Sequence, residues 1–424
     1  MQESASDAAS AVTEEEVGTA VERQSVLWLT NVSHGVNHFQ NTMVAVLYAV
    51  IMPDLGFSYA DLGILTAVRS ILAGATQGLY GFATPFIPRA WLLGIGNIVL
   101  GVGTLLTGFT QNFGGFLGAR AVASAGASAQ HPVGYSLLAG YFPKARGTII
   151  ALNSSISNIG SLLAPLAAAA LLLIIGWRQI FFIVAFLSIT MGMAYFLFRK
   201  RVAPGTEQAS TGRGKLLQGR ASYGRVLRNK NMIMVSLVMM VGGAGRDVGV
   251  NIAYLGPHFA NDFDMSTTMV GVAISAMQAG GVIGPIALGW ISDRVSRTAV
   301  IQVSLAMSAV ATVWLAFQGA YLPFLLLNLV FYGIVTRSRM TLTQAMVADS
   351  LPDADRDAAF SVFFFLGFLS APFWAILVGV LMDAYGFNIA FGILAVSYIA
   401  GMALMLFVTD PRGAAKNGPE PATN

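Results

Sequence analysis

No cysteine occurs among the 424 residues, so disulfides, thiol catalysis and cysteine-based metal sites are excluded. Charge is nearly as scarce. Only 10% of the chain is Asp, Glu, Lys or Arg, against about 25% in a soluble domain. Glutamate is missing between Glu22 and Glu207, and again from there to Glu420. What fills the space is apolar: 55% of residues are hydrophobic, mean hydropathy is +0.68, and 46 glycines suit close helix–helix approach. Lipid is therefore the expected solvent for most of the chain. The pI near 9.3 does not point to nucleic acid, because the basic residues sit beside apolar runs, where they orient spans in a membrane.

A helix needs about 20 apolar residues to cross the hydrocarbon layer. Spans are predicted at 26–51, 59–83, 91–111, 114–141, 148–175 and 179–198, then at 232–258, 267–291, 299–318, 321–347, 358–382 and 387–408. The runs are long and uninterrupted, unlike the short alternating segments of a β-barrel. The expected fold class is an all-α integral membrane protein of twelve transmembrane helices in two six-helix bundles. Five segments follow: an acidic disordered tail at 1–25, a bundle at 26–198, a basic linker at 199–230, a second bundle at 231–408 and a tail at 409–424. The linker carries nine Lys/Arg, and 18 of the chain's 24 fall in the tails or in loops on the tail side. Both termini and the linker are thus expected in the cytoplasm, with the chain in the cell's inner membrane.

The halves repeat at an offset of about 208 residues. Ser58, Gly63 and Ile64 correspond to Ser266, Gly271 and Val272; Gly81 and Arg89 to Gly289 and Arg297; Gly160, Ala164 and Pro165 to Gly367, Ala371 and Pro372. Duplicated halves are the organisation of a secondary transporter with its site near the bilayer midplane.

The run from Gly289 through Asp293 and Arg294 to Arg297 resembles the G-x-x-x-D-R-x-x-R loop of the major facilitator superfamily. The first-half equivalent keeps Gly81 and Arg89 but has Pro85 and Phe86 where the family has Asp and Arg. Arg120 with Gly126, the Gly160–Pro165 run, and Gly176-Trp177-Arg178 are similar to further motifs of that family. Ser33, His34 and Asn37 on the first span, with His131-Pro132 on the fourth, resemble its fosmidomycin-resistance branch of exporters. The resemblance implies two pseudo-symmetric bundles working by alternating access. It also implies a structural or coupling role for Arg120, and a gating role for Gly289, Asp293, Arg294 and Arg297, with Asp293 capping or pairing across the gate. Export of small anionic compounds by proton antiport follows from the branch resemblance.

The residues themselves point to an interior site. Asn31, His34, His38 and Asn41 follow helical spacing on the first span, broadened by Ser33, Asn37 and Gln40. Such a face does not point at lipid; it packs between helices or lines a central site. Arg246 and Asp247 stand among glycines in the seventh span, with Asn251, Tyr254 and His258 following Asp247 on one face. Arg69, His131, Gln278, Arg337 and Arg339 complete the expected contacts. Deep in the spans five arginines (69, 120, 246, 337, 339) face one carboxylate, Asp247. That excess calls for an anionic ligand, which Arg binds in bidentate fashion. Proton carriers are limited to Asp247 and to His34, His38 and His131, with Asp247, His34 and His38 first among them. No metal site and no cofactor are expected, since a histidine pair alone is a poor ligand set. No nucleophile–base pair or metal set is clustered, so the chain is not read as an enzyme. A small-molecule anion, H+ and the bilayer are the expected partners, with no nucleic acid, and the chain is expected to be a monomer. The alternatives are an anion or organic-acid uptake transporter and a transporter-like receptor that does not move its ligand.

Overall fold

The computed structural model describes residues 18–83, 86–142, 145–198, 223–242, 249–352 and 355–410. Most of the expected tails, most of the basic linker, and Arg246 and Asp247 lie outside the described residues, as does the side chain of Asn251.

Among the described residues, the first half contains α1 (Ala20–Leu55), α2 (Tyr59–Ala83), α3 (Arg89–Gly108), α4 (Phe113–Ala127), α5 (Gln130–Tyr141), α6 (Arg146–Leu172) and α7 (Trp177–Leu197). The second contains α8 (Lys230–Val241), α9 (Gly249–Asn261), α10 (Thr267–Arg294), α11 (Arg297–Phe317), α12 (Leu322–Asp349) and α13 (Arg356–Met405). The fourth span is α4 and α5 end to end, and the seventh is α8 and α9. The last two spans are both in α13, divided at Gly386, whose φ of 79° and ψ of 175° suit a residue without Cβ. Each of the twelve expected spans thus coincides with helix among the described residues. By length and composition alone, α3, α6, α7, α10, α11 and α13 are apolar enough to cross a membrane. Helices α1, α2 and α12 are long enough but carry interior polar and charged residues.

Local chemistry explains the helix limits. α1 begins at Ala20, ahead of the expected span at 26, because Thr19 and Glu22 form a capping box. Acidic sequence read as tail is therefore helix. In the second spans of the two halves, Ser58 and Ser266 play one role. Ser58 exchanges hydrogen bonds with Asp61, and Ser266 Oγ accepts from the backbone of Met269. The last residues of the basic stretch are not a free tether. Val226 is fully buried in a second-half core with Met232, Val235 and Met346. Arg225 forms a two-pronged ion pair with Asp355, at 2.6 and 2.8 Å, and that carboxylate is itself buried. Ile174, Phe186, Ile286 and Phe365 are among the many large apolar side chains left on the outside, as a lipid-facing surface requires.

The halves meet at one end. Gly256 of α9 lies against the backbone of Ala45 in α1, where a Cβ would collide with its carbonyl. Ser275 of α10 donates to the Leu162 carbonyl of α6 at 3.0 Å. Both carboxylate oxygens of Asp383, in α13, accept the first backbone N–H groups of α2, from Tyr59 at 3.0 Å and Ala60 at 2.7 Å. A side chain of one half thus caps a helix of the other, where the helix dipole favours a negative charge. At the same end Asp54 accepts from Arg178 at 2.7 Å and from Trp177 at 3.0 Å, and those bonds hold its carboxyl below the usual range.

Replacing Asp383 with Ala is expected to weaken this closure by about 1 kcal/mol, the scale of a helix cap. Spin labels placed across the α2–α13 seam of the cysteine-free chain will then show a larger long-distance population. An unchanged distance distribution would show that Asp383 does not hold the end shut.

Candidate functional site

The site begins with a break in a helix. Pro132 has no N–H to continue the α4 ladder and its ring crowds the preceding turn, so the fourth span is interrupted between Ala127 and Gln130. The carbonyl of Ala127, at the break, accepts from Asn37 Nδ2 of α1 at 3.0 Å. Gln130, just past it, donates to Ser33 Oγ at 3.0 Å and to the Thr30 carbonyl at 3.2 Å. The residues of the first-span and fourth-span motifs therefore touch, and the break sets His131 beside α1.

Three imidazoles meet there. Ring centroids lie 4.8 Å apart for His34 and His38, 4.9 Å for His34 and His131, and 5.6 Å for His38 and His131. The planes cross at 79°, 86° and 87°. The Tyr135 ring flanks His34 and His131. His34 is fully buried, and its Nδ1 lies 2.5 Å from Asn153 Oδ1 on α6. Asn153 Nδ2 donates to Asn31 Oδ1 at 2.7 Å. His38 Nδ1 lies 3.2 Å from Ser161 Oγ, and the Ser161 carbonyl accepts from Gln278 Nε2 of α10 at 3.5 Å. His38 is also within electrostatic reach of Arg337 on α12. His38, Ser161, Gln278 and Arg337 thus gather at the seam between the halves.

Next to this cluster lies a pair of cations. Arg69 Nη2 donates to Asn41 Oδ1 at 3.1 Å, and Asn41 donates to Asn37 Oδ1 at 2.9 Å. Arg120 is 1% exposed, its guanidinium 5.8 Å from the Phe181 ring and within electrostatic reach of Arg69 and Tyr48. Arg69 Nε, Arg120 Nε and Nη1, Thr66 Oγ1 and Tyr48 Oη are buried without hydrogen-bond partners. Neither arginine has a carboxylate partner among the described residues. A buried cation with idle donors and no counter-ion is costly, and two together set up a receptor for negative charge.

Not every expected contact reaches the seam. Arg337 and Arg339 are two residues apart on α12, about 200° around a helix, and they diverge accordingly. Arg337 lies along Gly281 of α10. Arg339 is 3% exposed, and its Nη1 reaches the Met239 carbonyl of α8 at 3.4 Å, inside the second half. The Tyr254 hydroxyl is spent on the Ala375 carbonyl at 2.6 Å, which makes it a tie at the closed end rather than a contact at the site. His258, buried, bonds Asp262 at 2.5 Å and stacks on Phe387 at 3.5 Å. On α1, Ser33 bonds Tyr195 of α7, and Gln40 bonds Ser188 of α7 and Thr104 of α3. These two are polar packing within the first half. Asn153 and Ser161 were missed, although Asn153, Ser157 and Ser161 repeat every fourth residue on α6 and are all buried.

The loop motif is a clamp within the second half. Arg297 donates to Asp349 at 2.7 Å, to Asp293 at 3.0 Å and to Ser292 at 3.2 Å. Its backbone N–H bonds Asp410 at 2.7 Å. Arg294 stacks on Trp290, 3.6 Å from the ring centre, and Gly289 accepts from Ser292 at 2.8 Å. One guanidinium thus joins the end of α10 to the end of α12. The bond from Arg297 to Asp293 lies within the loop, between residues four apart.

Known proteins agree with this architecture. The family model described as Major Facilitator Superfamily matches residues 30–250 and 243–424. A probable L-galactonate transporter of Escherichia coli (strain K12) is 24% identical over 271 residues, which are 61% of this chain and 59% of that protein. The fosmidomycin resistance protein of the same organism is 21% identical over 91% of this chain and 93% of its own length. In three dimensions, a bacterial homologue of the human lysosomal transporter Spinster, in an inward-facing and unoccupied conformation, superposes with a TM-score of 0.78. That match covers 96% of this chain and all of the other at 17% identity, a likeness of fold.

The Asn37 contact at the helix break is testable. Asn37→Leu leaves the Ala127 carbonyl unpaired in an apolar interior, at a cost of about 1–3 kcal/mol. Thermal unfolding in detergent, followed by tryptophan fluorescence, is expected to show a lowered midpoint. A midpoint equal to that of the unaltered chain would mean that water or another donor already satisfies the carbonyl.

Proposed function

The chain belongs to the major facilitator superfamily, and from that premise we propose that it moves a small anionic solute across the membrane by alternating access. It is a multi-pass membrane protein and a transporter by family, not an enzyme. The observation that carries the anionic reading is the Arg69–Arg120 pair, Arg120 buried and Arg69 half-buried, with idle donors and no carboxylate partner among the described residues. Arg337 adds a further cation at the seam with His38 and Gln278. The solute is placed between α1, α2, α6, α10 and α12, its negative group held by Arg69 and Arg337 and its polar remainder by Asn41, His38 and Gln278. Arg246 and Asn251 are proposed to add contacts from the seventh span.

Export by exchange for H+ is the proposed direction, on the likeness to the fosmidomycin resistance protein along nearly the whole chain. Asp247, the one carboxylate deep in the spans, is the proposed proton carrier, with Arg120 as its coupling partner. With the termini and basic linker in the cytoplasm, the end closed by Asp383 and Gly256 is the outer one. The described contacts then represent a state open inward. The clamp of Asp293 and Arg297 holds the inner ends of α10 and α12 together as the halves rock. Uptake of an organic acid is the second reading, and the similarity to a probable L-galactonate transporter supports it.

The purified chain in liposomes, screened with phosphonates, organic acids and phosphate esters with and without a pH gradient, tests the reading. Saturable flux of an anion, accelerated when protons are offered in exchange, is expected. Arg69→Ala is expected to weaken anion binding by about 10–100-fold, the worth of hydrogen bonds to a charged group. Transport of neutral or cationic solutes only, or full anion affinity in Arg69→Ala, would overturn it.

A further inference from the structure

We propose that His34, His38 and His131 form a binding site for one divalent transition-metal ion of the zinc class. One candidate ligand atom from each residue falls in a group whose members all lie within 4.8 Å of one another. The hydrogen bonds decide which nitrogens are available. Asn153 presents its oxygen to His34, since its amide nitrogen is committed to Asn31. An amide oxygen only accepts, so His34 Nδ1 carries the hydrogen and Nε2 carries the lone pair. That Nε2 is fully buried and has no partner. Ser161 Oγ bonds Nδ1 of His38; when the hydroxyl accepts there, Nε2 of His38 carries its lone pair as well. A ligating histidine held through its other nitrogen by a polar partner is the arrangement that orients metal sites.

Ring placement fits as well. Imidazoles bound tetrahedrally with metal–nitrogen bonds of about 2.0–2.1 Å have ring centroids roughly 5 Å apart, and these stand at 4.8, 4.9 and 5.6 Å. Planes crossing near 80–90° set three rings around a corner rather than in a stack. Three neutral nitrogens leave a fourth position open. His34 is buried at the back, while His38 and His131 are half-buried, so the open position faces away from His34. With Arg337 within electrostatic reach, the fourth ligand is an anion, either hydroxide or an acidic group of the solute. The sequence offered His34 and His38 as proton carriers and as too few for a metal; the missing ligand is His131, delivered by the break at Pro132.

The test uses the full chain, free of any histidine tag, purified in detergent, stripped with EDTA and titrated with Co2+ alone. One equivalent is expected to bind, giving the intense visible absorption of a four- or five-coordinate Co2+ ion, and Zn2+ is expected to displace it. His131→Ala and His38→Gln are each expected to lower affinity by about 100-fold or more, and Asn153→Ala by about 10-fold, the scale of a lost supporting bond. His258→Ala is expected to change nothing. X-ray absorption of the zinc-loaded unaltered chain is expected to show three imidazole ligands, a readout that does not depend on any variant folding. Absence of saturable binding, fewer than three imidazoles at the metal, or affinity unchanged in His131→Ala would overturn the site. No solute or gradient enters these measurements, so their failure leaves the anion-transport reading standing, and failure of that reading leaves the metal site standing.

Discussion

Lipid offers no hydrogen bonds, so each polar group placed in a spanning helix has to be satisfied by another part of the protein. That constraint organises the first half. The break forced by Pro132 exposes a carbonyl, Asn37 takes it, Asn41 leans on Asn37, and Arg69 leans on Asn41. On one flank of this row, Gln40 and Ser33 tie α1 to α3 and α7. On its other flank stand the histidines, braced from α6 by Asn153 and Ser161. One helix is thereby locked at a single rotation. The groups left without partners, Arg69 Nε and the Nε and Nη1 of Arg120, are held still rather than free to find them.

The halves share a fold but divide the chemistry. The repeat preserves what builds helices. Ser58 and Ser266 cap the second spans, and prolines sit inside α6 and α13 at equivalent places, Pro165 and Pro372. It does not preserve the site. The first half brings imidazoles, carboxamides and the paired arginines, whereas the second brings Arg337 and Gln278 to the seam and keeps Arg339 to itself. The loop clamp is also one-sided. Arg297 has Asp293 and Asp349 as partners, while the first-half position of Asp293 is Pro85. The inner ends of the second half are joined by charge in a way for which the first-half loop lacks the equivalent acid.

Most of the fold was legible in the sequence, because crossing a membrane imposes a length and an apolarity that show in any window. What escaped was governed by contacts across distance or by single-residue geometry. The start of α1 hid in acidic sequence, since the capping pair Thr19 and Glu22 reads as tail. Gly386 joins two spans into one continuous run, and only its backbone angles divide them. Within the site, the polar face of α1 and the importance of His131 were readable. That His131 meets His34 and His38 was not, because it depends on how α5 is tilted after the break. Tyr254 looked like a site residue from helical spacing alone, and its hydroxyl proved to be committed to Ala375. The split between Arg337 and Arg339 was readable in principle, since two residues on a helix cannot face one way.

Arg339 has a mechanical consequence. Its guanidinium is sunk among Met239, Tyr332 and Tyr398, so it behaves as a keel for α12. Rolling the helix would drag a charge through apolar packing, and that resists rotation about the helix axis. The azimuth of Arg337 at the seam is then fixed from behind. Were the second half to tilt as proposed, Arg337 would travel with it as a rigid pointer, and its distance to His38 would measure the position of the halves. Charge at the seam and posture of the bundle become one variable.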